Sequence, residues 1–316
     1  MTLSRLPMIG LIGLMCLAVV AAAVWWWRLP PEPLDRATAN MLYSERLDPP
    51  AGPLAVYHLG HSLVGRNMPA MLQQLAPDGH RHNSQLGWGA ALQAHWNHPD
   101  PPLHGFEESN DHPAFRPAPD ALASGEYDVL VLTEMVELRD AIRWLESPEY
   151  LARWAGRARE GRPDVRLYLY ETWHRLDSPD GWLARLDNDL PELWEGVVLF
   201  GALARDPEGR PIHLIPGGQV MATLVRRIEA GGGAPGLTRR EDLFSDDIHF
   251  NDQGAYLIAL VHYAVLYGQS PVGLPHRLLN ADGTPADAPS EEAARLMQEV
   301  VWDVVSALPR TGIAPR

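Results

Sequence analysis

The sequence contains no lysine: all 26 of its basic residues are arginine. A Walker-type phosphate loop, a Schiff-base lysine and pyridoxal chemistry each need that amine, so all three are excluded. Cysteine is nearly absent as well. The single cysteine, Cys16, lies in an apolar leader, which leaves the folded body without a disulfide, a thiolate nucleophile or a cysteine metal site. Positive charge is in deficit overall, since 26 basic against 40 acidic residues give a formal charge of -14. That balance argues against a nucleic-acid partner. What is present suits a chain with a sizeable core: 316 residues, 46% of them hydrophobic, enough for one large or two small domains.

The N-terminus sets the compartment. Met8 to Trp27 carries no charge over 20 residues, follows Arg5 and closes on Trp25, Trp26, Trp27 and Arg28. A stretch of this length can span a bilayer, and tryptophans suit its interface. Residues 1–28 therefore read as a membrane anchor, or as a signal peptide cleaved near Ala21 to Ala23. Either way the body is exported, to the periplasmic or extracellular side. Residues 29–53, with RLPPEPL and DPPAGP, read as a proline-rich linker, and residues 54–316 as the folded domain.

Within that domain strands and helices alternate. Leu54 to Leu59 is a strand-like run broken by Gly60, and a helix capped by Asn67 follows. His80 to Gln85 reads as a second strand and His98 to Pro119 as a long surface loop. Asp128 to Leu132 (DVLVL), Val165 to Tyr170 (VRLYLY) and Ile212 to Ile215 read as three more strands, the first of them a continuous apolar run covered on both faces. Helices are expected from about Pro148 to Arg159, from Trp182 to about Ala204, from Gln219 to Glu229, after Asn251, and from about Ser290 to Leu308. This pattern predicts an α/β three-layer sandwich around a mainly parallel sheet of about five strands. In such sheets reactive groups collect at the carboxyl ends of strands, which makes Ser62 a candidate nucleophile by position. Asp246 and His249 sit in a loop just before the helix at Asn251. An aspartate three residues before a histidine can hold one ring nitrogen and leave the other as a base facing a serine.

Taken together, GHSL at Gly60 to Leu63, GWGAAL at Gly87 to Leu92 and the Asp246/His249 pair resemble the SGNH hydrolases, the GDSL-like esterase and lipase superfamily, from about Leu54 to Gly268. The resemblance implies a flavodoxin-like three-layer fold and a Ser62-His249-Asp246 catalytic triad. It also implies an oxyanion hole from the backbone N–H groups of Ser62 and Gly89, with Gly87 the second match, and no cofactor or metal. It departs at the third block, where the family has an asparagine whose amide donates to the oxyanion. Here the chain reads LTEMVE, with Thr133 and Glu134 as site neighbours and His174 as another. Asn67, Thr172 and Gln219 are candidate substitute donors. Losing one such donor typically costs about 100- to 1000-fold in turnover.

The resemblance implies an exported serine esterase acting on acyl esters, O-acetyl groups on carbohydrate first. Trp88, Trp96 and Trp173 lie beside the proposed site loops and could stack sugar rings. Two alternatives stay open: a polysaccharide O-acetyltransferase, and a non-catalytic envelope protein of the same fold that binds glycans. A metal phosphoesterase built on His58, His61 and His249 is a further reading. His104 and His112 in the 98–119 loop match no metal-ligand spacing. The expected partners are an acylated small molecule or polysaccharide, and the membrane through the leader.

Overall fold

Every residue of β1 (Ala55–His61) is buried, as an apolar run flanked on both sides by other strands requires. The computed structural model describes residues 31–313, so the segment 1–28, read in sequence as an anchor or signal peptide, lies outside the described residues. β1 pairs in parallel with β2 (Arg81–Gly87) and β3 (Val129–Leu132), and β4 (Arg166–Glu171) and β5 (His213–Pro216) complete the sheet. The order β2-β1-β3-β4-β5, all parallel, is the doubly wound arrangement whose switch point lies between β1 and β3. Ser62 was expected at the carboxyl end of the first strand, and it directly follows β1.

Helices that position the rest include α1 (Arg36–Leu42), α2 (Asn67–Leu75), α3 (Leu92–Asn97), α4 (Ser147–Gly161), α5 (Trp182–Asp189), α6 (Gly217–Arg227), α7 (Asp252–Tyr267) and α8 (Glu291–Ala307). Further helical segments, Ala118–Ala123 and Leu138–Trp144 among them, fill the connections. Alternation along each strand assigns the faces. Val56, Val129, Val131, Tyr168, Tyr170 and Ile215 pack against α2, α6, α7 and α8. Ala55, Tyr57, Leu59, Leu130, Leu132 and Leu169 pack against α1, α3, α4 and the π-helical stretch Leu190–Leu199 that follows α5. The chain is thus a three-layer α/β sandwich with a five-stranded parallel sheet. α7 is buried almost all round because it packs against α2, α6, α8 and β5, and it ends on Gly268 in the left-handed region. Among the described residues no helix is long and apolar enough to cross a membrane.

Three expectations change. The linker read over 29–53 is folded onto the domain from Pro33, where the compact unit begins. Asp35 caps α1 through Ala37 N and Thr38 N, and Tyr43 is buried with its hydroxyl on Ile212 O at 2.6 Å. The arm packs because Ala39 and Tyr43 are buried in the core, with Leu34 and Leu42 against it. The 98–119 loop contains a turn of helix (Phe106–Asn110) and runs along the outer edge of β2, where Ser84 N donates to Ala114 O and Arg116 N to Ser84 O. It covers backbone groups that an edge strand would otherwise expose. Finally, Asn67 does not cap α2: Arg66 holds the cap position in helical conformation, and the Asn67 side chain instead accepts from Ala281 N at 3.1 Å.

Candidate active site

Ser62 stands on the turn that leaves β1. Val64 N donates back to His61 O at 2.9 Å, and Gly65 takes φ +62°, so the chain reverses sharply into α2. Gly60 makes the close packing behind the turn: a Cβ there would stand 2.5 Å from the Thr133 methyl at the end of β3. Ser62 itself is partly exposed while His61 and Leu63 are buried.

The histidine arrives from the loop ahead of α7. Asn251 caps that helix, accepting from Gln253 N and Gly254 N, and its amide donates to Asp242 O. Upstream, Asp246 Oδ1 accepts from Ile248 N at 2.8 Å and His249 N at 2.6 Å, so the aspartate builds the turn that carries the histidine. Its other oxygen, Oδ2, lies 2.7 Å from His249 Nδ1, and His249 Nε2 lies 2.9 Å from Ser62 Oγ across 187 residues of sequence. With the carboxylate on Nδ1, that nitrogen carries the proton and Nε2 accepts from the serine hydroxyl. Partial burial pushes the Asp246 carboxyl up, but the His249 ring and the two backbone N–H groups outweigh it and hold the value near 2. The two side chains are 44% and 51% exposed, which leaves the site open to solvent and to a bulky acceptor.

The loop is fixed from β4, a contribution sequence reasoning missed. Trp173 Nε1 donates to Ile248 O at 2.8 Å, Leu176 N donates to Asp247 O at 2.8 Å, and Arg175 pairs with Asp247. Trp173 is fully buried and serves as this support, so it is not a sugar platform. A sequence signal for this exists only in retrospect: an aromatic and a basic residue directly after a central strand.

Gly89 takes φ +55° at the exposed corner after β2, and an added Cβ there would meet nothing within 4 Å. Register pairs His61 with Gly87, so the Ser62 and Gly89 turns leave neighbouring strand ends. Among the described residues neither Ser62 N nor Gly89 N has a protein acceptor. Gly87 is buried at the end of β2, against Ala90. Trp88 is 52% exposed; its ring packs over Gly105 and edge-on against His104 at 5.1 Å. Trp96 is packed edge-on against Trp154 at 4.9 Å.

The third block supplies no amide. Thr133 is buried and donates to Tyr170 O at 2.8 Å. Glu134 is buried too, with Oε1 accepting from Leu92 N at 3.2 Å and Met135 N at 2.9 Å. Burial raises its carboxyl to about 7 against the pull of the Met135 N–H, the Ser147 hydroxyl and the Leu92 N–H. Of the proposed substitutes, Thr172 is buried and Gln219 spends its amide on Glu171 and Leu186 O. Asn67 has only its oxygen engaged. His174 is not joined to Ser62 or His249 among the described residues: its ring lies 2.8 Å from Asp189, which also binds Arg185.

The three histidines of the metal reading are not brought together. His58 is buried on the α7 face beside His262, 5.7 Å between rings, while His61 points to the opposite face and engages Glu134 O. Among the described residues no group of three metal-ligating side chains forms. A groove of about 360 Å³ opens beside Gly65 and Arg66, with Gln73, His82, His112 and Asn280 on its walls.

No family model matches this chain, and no curated protein matches it. Among solved structures, a DUF4886 family protein from Bacteroides uniformis is similar, with a TM-score of 0.51 and 13% sequence identity over 80% of this chain and 95% of that one. The likeness is one of fold.

Proposed function

We propose that the chain is an SGNH-type serine hydrolase that cleaves acyl esters, O-acetyl groups on carbohydrate first, on the outer side of a membrane. The observation that carries this reading is the Ser62, His249 and Asp246 arrangement: 2.9 Å and 2.7 Å contacts in the order a base-activated serine requires. His249 Nε2 takes the Ser62 proton as Oγ bonds to the acyl carbon, and the carbonyl electron pair moves to oxygen. The free N–H groups of Ser62 and Gly89 stabilise that oxyanion. Collapse breaks the bond to the alcohol, which leaves with the proton from His249. Water, activated by the same nitrogen, then attacks the acyl-serine, releasing the acid and restoring Ser62.

Carbohydrate is favoured because an exposed indole, Trp88, stands one residue from Gly89 with one face covered by Gly105. The exposure of His249 also supports transfer to a sugar hydroxyl in place of water. Release of acetate from an O-acetylated oligosaccharide, compared between the wild type and Ser62→Ala, tests the reading. Loss of turnover in the variant is expected, and equal release by both proteins sinks it.

A further inference from the structure

We propose that Glu134 is a positioning residue of this site, clamping the Gly89 loop and the Ser62 turn to the end of β3 in place of a direct donor to the oxyanion. The proposal rests on the hydrolase reading for its catalytic consequence, but its geometry stands alone. Three bonds converge on this one residue. Its carboxyl oxygen accepts from Leu92 N, three residues beyond Gly89, and from Met135 N on its own strand exit. Its main-chain carbonyl accepts from His61 Nε2 at 2.8 Å, and His61 Nδ1 in turn accepts from Leu63 N at 3.3 Å. His61 and Leu63 flank Ser62. Leu92 is held from the other side as well, since its carbonyl accepts from Trp154 Nε1 at 3.0 Å.

A packing role alone does not explain the residue type. Glu134 is fully buried, and among the described residues no cation stands beside it. Enclosing a carboxyl in this way is costly, and an apolar residue of similar size would fill the space without that cost. What only an acceptor can do here is hold two backbone N–H groups, that of Leu92 buried and that of Met135 partly so. With its carboxyl engaged by these two backbone groups, Glu134 is wholly buried, whereas Ser62 and His249 are partly exposed.

The test compares Glu134→Gln, which keeps an acceptor oxygen, with Glu134→Leu, which does not. Steady-state kinetics on p-nitrophenyl acetate are read beside amide hydrogen exchange of Gly89–Leu92 and Met135. Glu134→Leu is expected to lower kcat by about 100-fold with KM nearly unchanged, the scale of a small misplacement of catalytic groups, and to speed exchange at Leu92 and Met135. Glu134→Gln is expected to restore most of kcat and the protection. Equal damage from both variants, or a fall in kcat without faster exchange, overturns the proposal. Should Glu134→Leu not fold, the wild type decides: its Leu92 and Met135 amides must be protected like those of β1, and open-loop exchange there overturns the clamp. A wild type without Ser62-dependent turnover defeats the hydrolase reading, while the exchange measurement still decides the clamp.

Discussion

Asp246 does two jobs with its two oxygens, building the turn through Oδ1 and orienting the imidazole through Oδ2. Asn at this position keeps an oxygen for the turn but also offers an amide that permits the wrong histidine tautomer. Asp246→Asn is therefore expected to lower kcat by roughly 100- to 10,000-fold while the fold persists, measured by esterase kinetics beside a thermal melt. Because its carboxyl titrates near 2, loss of activity between pH 6 and 4 does not arise from Asp246. Trp88 offers the complementary test of substrate. Trp88→Ala is expected to raise KM for an acetylated oligosaccharide several-fold, about the worth of one aromatic face, and to leave KM for p-nitrophenyl acetate unchanged. Equal effects on both substrates would contradict sugar stacking. At this scale the residues that meet at Ser62 were readable in sequence, because GHSL and Asp-x-x-His are local patterns and the contacts of His249 with Ser62 and Asp246 join them. The supports were not: Trp173 holding Ile248, and Glu134 holding Leu92, act across 75 and 42 residues, and no local pattern announces them.

Among the elements, α7 bears most directly on the site because its first turn sets where the His249 loop lands. Gly254 lies in that turn, where an added Cβ would stand 2.4 Å from Leu243 O and 2.6 Å from Phe250 Cβ. Gly254→Ala is expected to push the helix start off the 243–250 loop, costing about 1 to 3 kcal/mol by denaturant unfolding and lowering kcat more than KM. An unchanged kcat would mean that the helix start does not set the histidine. The strands and long helices were legible because burial on both faces leaves continuous apolar runs, and Asn251 and Gly268 bracket α7 as a cap and a left-handed stop. Asn67 looked the same in sequence and behaves differently. Its side chain is claimed by Ala281, 214 residues away, and a tertiary partner outranks local capping. The 33–53 arm misled for a related reason, since proline content reports backbone stiffness and says nothing about whether Tyr43 finds a pocket.

For the whole molecule, burial of titratable groups predicts how stability depends on pH. His61, His80, His213 and His262 are driven to about 4, and His95 to about 3, chiefly by burial. Their folded values lie below the ordinary 6.5, so the unfolded chain binds protons first on acidification. The stability they contribute is complete above about pH 6.5 and is lost as pH falls toward 4. Glu134 and Glu171 run the other way. Burial raises them to about 7 and about 8, so they keep protons that the unfolded chain has released above 4.5, and stability declines as pH rises through that window. Denaturant midpoints are expected to climb between pH 4 and 6.5, where the histidines outnumber the carboxyls, and to fall modestly toward pH 8. Glu171→Gln should flatten that later fall. A midpoint that does not rise between pH 4 and 6.5 would contradict neutral burial of these histidines.

Activation of Ser62 as a nucleophile by His249 is tested most directly by covalent labelling. A fluorophosphonate probe applied to the purified protein, followed by intact mass and peptide mapping, should add one phosphonyl group at Ser62. Ser62→Ala should take up none, and His249→Ala should label far more slowly. Labelling that is absent from the wild type, or that persists in Ser62→Ala, would contradict the account.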